Sequence, residues 1–281
     1  MSIARNLFNL LSAPLVAFLR QPARPSVAIV EKSVAVHTQA MHGQSKRIAY
    51  ECPSLVTLWR AESLYDKEPD TIQWLDGMAP GEVLYDVGAN VGMYTIYAGM
   101  RGMDVYAFEP EAQNFALLNR NIRRNQLQNT VSAYALAIGA SETLNYLYLS
   151  SEDVGGANNT FGKEVDFNHA KMTSKFRQGA FSLSLDDLWQ RFGLPIPHHI
   201  KIDVDGLEAE ILQAAERTLQ LPSLKSILVE LNEQIPVDAE VLSKMDRLGF
   251  RCLSRFHSPV FDHTPYRHIY NYIFTRNEQA G

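Results

Sequence analysis

The feature that most constrains this chain is an alternation that begins at Gly81. From there, apolar runs and amphipathic stretches take turns almost to the C-terminus. The apolar runs are Val83 to Val87, Val105 to Phe108, Val131 to Ile138, Ile200 to Val204 and Ile227 to Leu231. Helical spacing follows at Tyr94 to Met100, Ala112 to Asn125, Leu207 to Leu219 and Ala239 to Leu248. Strands that are apolar throughout are covered on both faces, so this order predicts an α/β fold with a mostly parallel sheet and helices on both sides. Arg251 to Arg255 and Ile269 to Arg276 add two strand-like runs with no helix between them. They predict a seven-stranded sheet whose last strand turns back antiparallel.

Residues 1–80 have a different character and read as a mixed N-terminal extension to a domain spanning 81–278. Ile3, Leu7, Leu10, Leu11, Leu15 and Phe18 recur at helical spacing, but Arg5, Asn9, Ser12 and Pro14 interrupt any continuous apolar run. A membrane span needs about 20 mostly apolar residues. An amphipathic helix docked on the domain, on a partner or on a membrane surface is the expectation. Residues 21–26 read as a linker, Ser26 to His37 as strand-forming, and Leu55 to Met78 as a helical pattern broken by Pro69. Within the larger domain, residues 151–180 are rich in Gly, Asn and Lys and read as an inserted loop.

Net charge is −5, which argues against a broad nucleic-acid footprint. Cys52 and Cys252 are the only cysteines, too few for a disulfide framework, so a reducing, cytoplasmic setting is expected.

The first apolar run ends in Asp86-Val-Gly-Ala-Asn-Val-Gly92. Small residues between a strand and a helix let a ligand approach the backbone closely. The dinucleotide fingerprint G-x-G-x-x-G is not met, because Asn90 and Met93 stand where its second and third glycines belong. That speaks against a nicotinamide-dependent oxidoreductase. The second run ends in Glu109, 23 residues after Asp86. In doubly wound folds an acid about 20 residues past the glycine loop accepts hydrogen bonds from ribose hydroxyls. A carboxylate capping the next helix is the competing role for Glu109. Together, Asp86, the glycine loop and Glu109 point to an adenosine-type cofactor.

On the fourth run His199, Lys201, Asp203 and Asp205 alternate with apolar residues, which places them on one face. Asp203 falls at the carboxyl end, where open α/β sheets bind ligands. It is the expected general base, with Lys201 beside it, or else half of a buried structural ion pair. With Asp205 it is also a conceivable divalent-metal ligand, although two acids alone leave the metal undetermined. His263, between the last two runs, is the histidine retained as an alternative base. Asn158, Asn159 and Thr160 offer amide and hydroxyl groups suited to a polyhydroxylated acceptor.

Three segments, Asp86-Val-Gly-Ala-Asn-Val-Gly92, Val105-Tyr-Ala-Phe-Glu-Pro110 and Lys201-Ile-Asp-Val-Asp-Gly-Leu-Glu208, resemble the FkbM-type methyltransferases. The likeness extends over roughly residues 60–235 and includes Lys67-Glu-Pro69, Trp74 and Glu230-Leu-Asn232. It implies a class I methyltransferase Rossmann-like fold, S-adenosylmethionine as cofactor, and O-methylation of a sugar, glycan or other small hydroxylated metabolite. The family's cofactor residues map onto Asp86, Gly88, Asn90, Gly92 and Glu109, and Ala135, within the third run, is a further expected cofactor contact. Where this chain has Asp205 the family has Glu, one methylene longer. A non-catalytic adapter that kept the fold is the reading from outside enzymology.

Overall fold

The computed structural model describes residues 35–41 and 46–277. The expected helix over Ile3 to Phe18, its membrane or partner contact and the 21–26 linker lie outside the described residues. Among the described residues no helix is long and apolar enough to cross a membrane. The elements begin with β1 (Ala35–Ala40), β2 (Arg47–Cys52), α1 (Leu55–Glu62), α2 (Pro69–Asp76), β3 (Val83–Val87), α3 (Met93–Met100), β4 (Asp104–Phe108) and α4 (Ala112–Arg124). They continue with β5 (Val131–Tyr134), β6 (Ala137–Ile138), β7 (Thr143–Leu149), β8 (Asn159–Phe161), β9 (Phe176–Leu183) and α5 (Leu185–Gln190). The chain then forms β10 (His199–Ile202), α6 (Glu208–Ala214), α7 (Glu216–Leu219), β11 (Ser226–Asn232), α8 (Pro236–Arg247), β12 (Phe250–Phe256) and β13 (Ile269–Arg276).

The central sheet runs β12-β13-β11-β10-β3-β4-β5. Its strands are parallel except β13, which is antiparallel to both neighbours. This is the mostly parallel seven-stranded sheet that the alternation predicts, in the class I methyltransferase Rossmann-like arrangement that the family resemblance implies. Strand pleating splits the apolar runs between two cores. Leu84, Val105, Leu228 and Ile273 face α1 to α4 with Leu64, Ile72, Leu75, Ile96 and Leu117. Tyr85, Ile200, Ile202 and Val229 face α5 to α8 with Leu188, Ile211, Leu212 and Met245. Each such aliphatic side chain, fully buried, stabilises the fold by roughly 1.5–3 kcal/mol.

Local chemistry sets the helix starts. Ser54 and Thr57 form a reciprocal capping box on α1, Pro69 occupies the first turn of α2, and the Glu111 carboxylate accepts the Gln113 and Asn114 amides at the start of α4. The β1–β2 hairpin and α1 and α2 share their core with α3 and α4, and residues from Ala35 on form one compact unit. Asn121 of α4 and Asn125, which follows its last turn, accept the Glu51 and Ala49 amides of β2 and so satisfy its outer edge.

Three expectations need correction. The run Val131 to Ile138 is not one strand: a turn after Tyr134 sends Ala137–Ile138 into a second, four-stranded sheet ordered β6-β9-β7-β8. Residues 151–180 are not simply a loop, since β8 and the first half of β9 belong to that sheet. The helix over Leu207 to Leu219 is broken at Ala215. The second sheet escapes detection because its exposed face carries Leu144, Tyr146 and Phe176, which blurs the polar–apolar alternation of a half-buried strand.

Candidate active site

A cavity of about 270 Å³ opens over the carboxyl ends of β3, β4, β10 and β11. The backbone beneath it is tightly drawn. The Gly88 and Ala89 amides donate to the Phe108 carbonyl, and the Asp203 amide donates to the Val87 carbonyl. Gly88 has φ +78°, and a Cβ there would lie 1.8 Å from the carbonyl oxygen of Asp203. Only glycine fits.

Glu109 is buried at the end of β4. One carboxylate oxygen accepts the Asn90 amide at 2.7 Å and the other accepts the Glu111 amide at 2.8 Å. Burial pushes this carboxyl up to about 7, even though the two amide bonds pull the other way. Each oxygen keeps a free lone pair, and Glu109 lines the cavity beside Gly88 and Asn90.

Across the cavity lie the acids that follow β10. Lys201 is 2 % exposed, and its Nζ lies 3.0 Å from Asp203 and 3.9 Å from Asp86. Burial works against the charge on Asp203, but Lys201 and Lys67 outweigh it and hold the carboxyl below its ordinary value. Two residues on, Asp205 sits in a left-handed turn at φ +61°. Burial and then the charge of Asp203 push its carboxyl up to about 6. Glu208 ends the strand by accepting the Val204 and Gly206 amides, both at 2.9 Å. Glu230, at the end of β11, is raised well above its ordinary value by burial and then by Asp203 and Asp205. Of the two acids that follow β10, Asp203 is thus held below its ordinary value and Asp205 above it.

The expected residues divide as follows. Gly88, Asn90, Glu109, Asn158, Asn159, Asp203 and Asp205 line the cavity. Asp86 and Lys201 border a smaller compartment of about 40 Å³, which shares Arg60, Lys67, Gly88, Asn90 and Asp203 with the larger cavity. Gly92 lines neither; a Cβ there would meet the Leu118 side chain at 2.5 Å, so it serves the packing of α3 on α4. Ala135 is exposed in the turn after β5, and Ala137 and Ile138 line the cavity in its place, because the third strand stops early. Thr160 is buried and donates to the Val165 carbonyl, so it turns away. His263 is exposed and lines no part of the cavity; Phe261 and Tyr266 of the same connection do so instead. His199 lies at the opposite end of β10, bonded to Ser226 and Glu82.

Several lining residues carried no assignment from sequence. Trp59 and Arg60 come from α1, Lys67 and Glu68 from the turn before α2, Phe256 from the end of β12, and Ser258 and Tyr266 from the β12–β13 connection. Lys67-Glu-Pro69 and Glu230 belonged to the recognised motifs, and that was the available signal. For Trp59, Arg60 and Tyr266 there was none, because only long-range packing brings them here.

The side chains suit an S-adenosyl group. Glu109 offers two acceptor oxygens, the number that the two hydroxyls of a ribose diol can use. Asp86 offers a buried Oδ1 with no hydrogen-bond partner, suited to an ammonium. Among the described residues no group of three or more His, Cys, Asp or Glu side chains is placed to hold a metal ion.

Comparison with known proteins points the same way. A family profile described as "Methyltransferase FkbM domain" matches residues 86–252. A Streptomyces tacrolimicus protein named 31-O-demethyl-FK506 methyltransferase FkbM is 25% identical over 204 residues, covering 66% of this chain and 78% of that one. A Haloferax volcanii protein named hexuronic acid methyltransferase AglP is 27% identical over 197 residues, covering 70% and 75%. Among solved structures, a putative methyltransferase from Streptococcus mutans in complex with S-adenosylhomocysteine superimposes with a TM-score of 0.47 at 8% identity, covering 75% of this chain and 98% of that one.

Proposed function

The chain belongs to the FkbM methyltransferase family, and from that membership we propose that it transfers a methyl group from S-adenosylmethionine to a hydroxyl oxygen of a sugar or similar polyhydroxylated metabolite. When bound, the cofactor supplies a methyl carbon already activated by its sulfonium. The tasks left to this chain are alignment and removal of one proton.

Glu109 accepts the ribose hydroxyls and fixes the adenosine end. Asp203, kept ionised by Lys201 and Lys67, orients the acceptor hydroxyl through an accepted hydrogen bond. Asp205 is placed to take the hydroxyl proton, with the methyl carbon passing from sulfur to the acceptor oxygen and the thioether S-adenosylhomocysteine left behind. The observation that carries this division is the contrast between the two acids on one cavity wall, one held low and the other raised to about 6. A base is most effective when its pKa approaches the working pH, so Asp205 suits the role better than Asp203, the acid expected from sequence.

The acceptor class draws support from the lining and from the relatives' names. Trp59, Phe256 and Tyr266 offer flat apolar faces, and Asn158 and Asn159 offer amides. A sugar ring presents both an apolar face and a polar edge. One relative is named for methylation at an oxygen and the other for a hexuronic acid substrate. The test is methyl transfer from labelled S-adenosylmethionine to a panel of neutral hexosides and hexuronides, with the labelled position located by NMR. Label on a sugar oxygen is the expected result. Label on nitrogen or carbon, or tight S-adenosylhomocysteine binding with no transfer to any hydroxyl, would overturn the reading, and the latter would favour an adapter.

A further inference from the structure

Besides its acids, the large cavity holds polar atoms that nothing in the chain satisfies. Ser258 is 5% exposed, and its Oγ is buried without a hydrogen-bond partner. Asn271 is 7% exposed and lines the cavity, and its side-chain amide makes no hydrogen bond among the described residues. Asn158 donates from Nδ2 to the Tyr266 hydroxyl at 2.7 Å, which leaves Asn158 Oδ1 buried and unpartnered and the Tyr266 proton free to donate. Buried polar groups are normally paired, so several unpaired ones on one cavity mark the place of a ligand's polar edge. The strand register gathers them. Phe256 of β12 stands opposite Asn271 of β13, and Asn271 stands opposite Glu230 of β11. Directly opposed residues share a face of the sheet, so these three form a row along the cavity. Between β13 and β4, the strand that ends at Glu109, lie β11, β10 and β3. At about 4.8 Å per strand that separation is roughly 19 Å, which puts the row at the opposite end of the cavity from Glu109.

We propose that Ser258, Asn271, Asn158 and Tyr266 form a distal subsite for two neighbouring hydroxyls of an uncharged sugar ring, remote from the oxygen that is methylated, and that this subsite selects neutral hexosides over hexuronides. The inference rests on the acceptor being a sugar, as proposed above. Donor and acceptor chemistry carries it. A hydroxyl both donates and accepts, whereas a carboxylate only accepts and an ammonium only donates. The subsite supplies both kinds: Asn158 Oδ1 accepts, the Tyr266 hydroxyl donates, and Asn271 and Ser258 do either. Phe256, in the same row, offers a flat apolar face to the ring. A carboxylate would instead enter a cavity already lined by Asp203, Asp205 and Glu230. Lys67 lies 5.8 Å from the Phe261 ring centroid but is spent on Glu68 at 2.6 Å. Glu230 itself is kept protonated by burial and by the charges of Asp203 and Asp205, so it adds no negative charge opposite Asn271. Phe256, Ser258, Tyr266 and Asn271 all follow residue 252, where the family profile ends, so the selection belongs to this chain's own C-terminal connection.

Methyl hexopyranosides, their monodeoxy analogues and the corresponding hexuronides are titrated by calorimetry into the full chain saturated with S-adenosylhomocysteine, and into Ser258→Ala and Asn271→Ala. The neutral hexoside should bind about 10-fold or more tightly than its hexuronide. Each variant should weaken the hexoside by about 5- to 20-fold and leave S-adenosylhomocysteine within about two-fold. Removing one sugar hydroxyl should cost the wild type a similar factor and cost Ser258→Ala little. Ser258→Ala should also hold or raise Tm, because it deletes an unpartnered buried hydroxyl. A hexuronide that binds more tightly than its neutral counterpart would overturn the proposal. So would wild-type hexoside affinity in both variants, absence of any hexoside binding, or a parallel loss of S-adenosylhomocysteine affinity, which would mean that these residues act through the fold. Hexoside binding with the expected pattern but no methyl transfer would uphold the subsite and overturn the transferase reading instead.

Discussion

Lys201→Met tests whether the buried charges after β10 are as tightly coupled as their geometry implies. The substitution keeps the length of the side chain and its apolar stem while deleting a charge that is 2% exposed. It strands Asp203, 3.0 Å away, and Asp86, 3.9 Å away, and leaves the Tyr94 ring without the cation 5.4 Å from its centroid. Removing one partner of a buried pair costs about 3–5 kcal/mol. Asp203 is 28% exposed toward the cavity and keeps some hydration, so the lower end of that range applies. For a chain of this size about 3 kcal/mol corresponds to a fall in Tm of roughly 6–12 °C. The pH dependence has a definite sign. In the native protein the folded-state pKa of Asp203 is depressed, so its contribution is present above its unfolded pKa and is lost as pH falls through the folded value. Without Lys201 that depression shrinks to what Lys67 and Arg60 supply, and burial makes Asp86 take up a proton more readily than in the unfolded chain. The variant should therefore gain on the wild type as pH falls, and the Tm gap should narrow from pH 8 toward pH 5. Asp203→Asn in the Lys201→Met background should recover part of the loss. Thermal unfolding across that range is the assay. A Tm gap below about 2 °C, or one that does not change with pH, would refute the coupling.

Other outcomes follow from the same geometry. Glu109 must be ionised to accept ribose hydroxyls and lies at about 7, so S-adenosylhomocysteine affinity should rise as pH climbs through neutrality. Glu109→Gln should abolish that rise in calorimetry and weaken binding by about 10- to 100-fold. The same raised carboxyl makes the folded state bind more protons than the unfolded one between its ordinary value and 7, so its contribution to stability declines as pH rises across that window. Asp205→Asn should cut single-turnover methyl transfer by about 10²-fold or more, remove an acid limb near 6 from the rate profile, and leave cofactor affinity unchanged. Gly88→Ala should destabilise by about 3 kcal/mol or more, because a left-handed φ and a contact with rigid backbone act together. Gly92→Ala should cost less, since the atom it meets is the tip of the Leu118 side chain; thermal unfolding of the pair checks that order.

The sequence alone determined what depends on local periodicity and on covalent neighbours. Apolar runs separated by helical spacing dictate a covered parallel sheet, and a strand must deliver its last residues to the carboxyl edge. Gly88, Asn90, Glu109, Asp203 and Asp205 were therefore recognisable as residues of that edge, and all of them line the cavity. Only tertiary structure decided which side chains close the cavity and how the acids divide their charge. Trp59 and Arg60 reach it because α1, packed on the β1–β2 hairpin, shares its core with α3 and α4 and because Arg60 bonds to Gly155, 95 residues away in sequence. Ala135 missed its place because a turn two residues long diverts the chain to the second sheet, and His263 missed because Phe261 and Tyr266 of the same connection turn inward. Asp203 and Asp205 look alike in sequence, yet one is held low and the other is raised. The difference comes from where a buried ammonium lies, and a charge deep in low dielectric acts through distance in space, not through position along the chain.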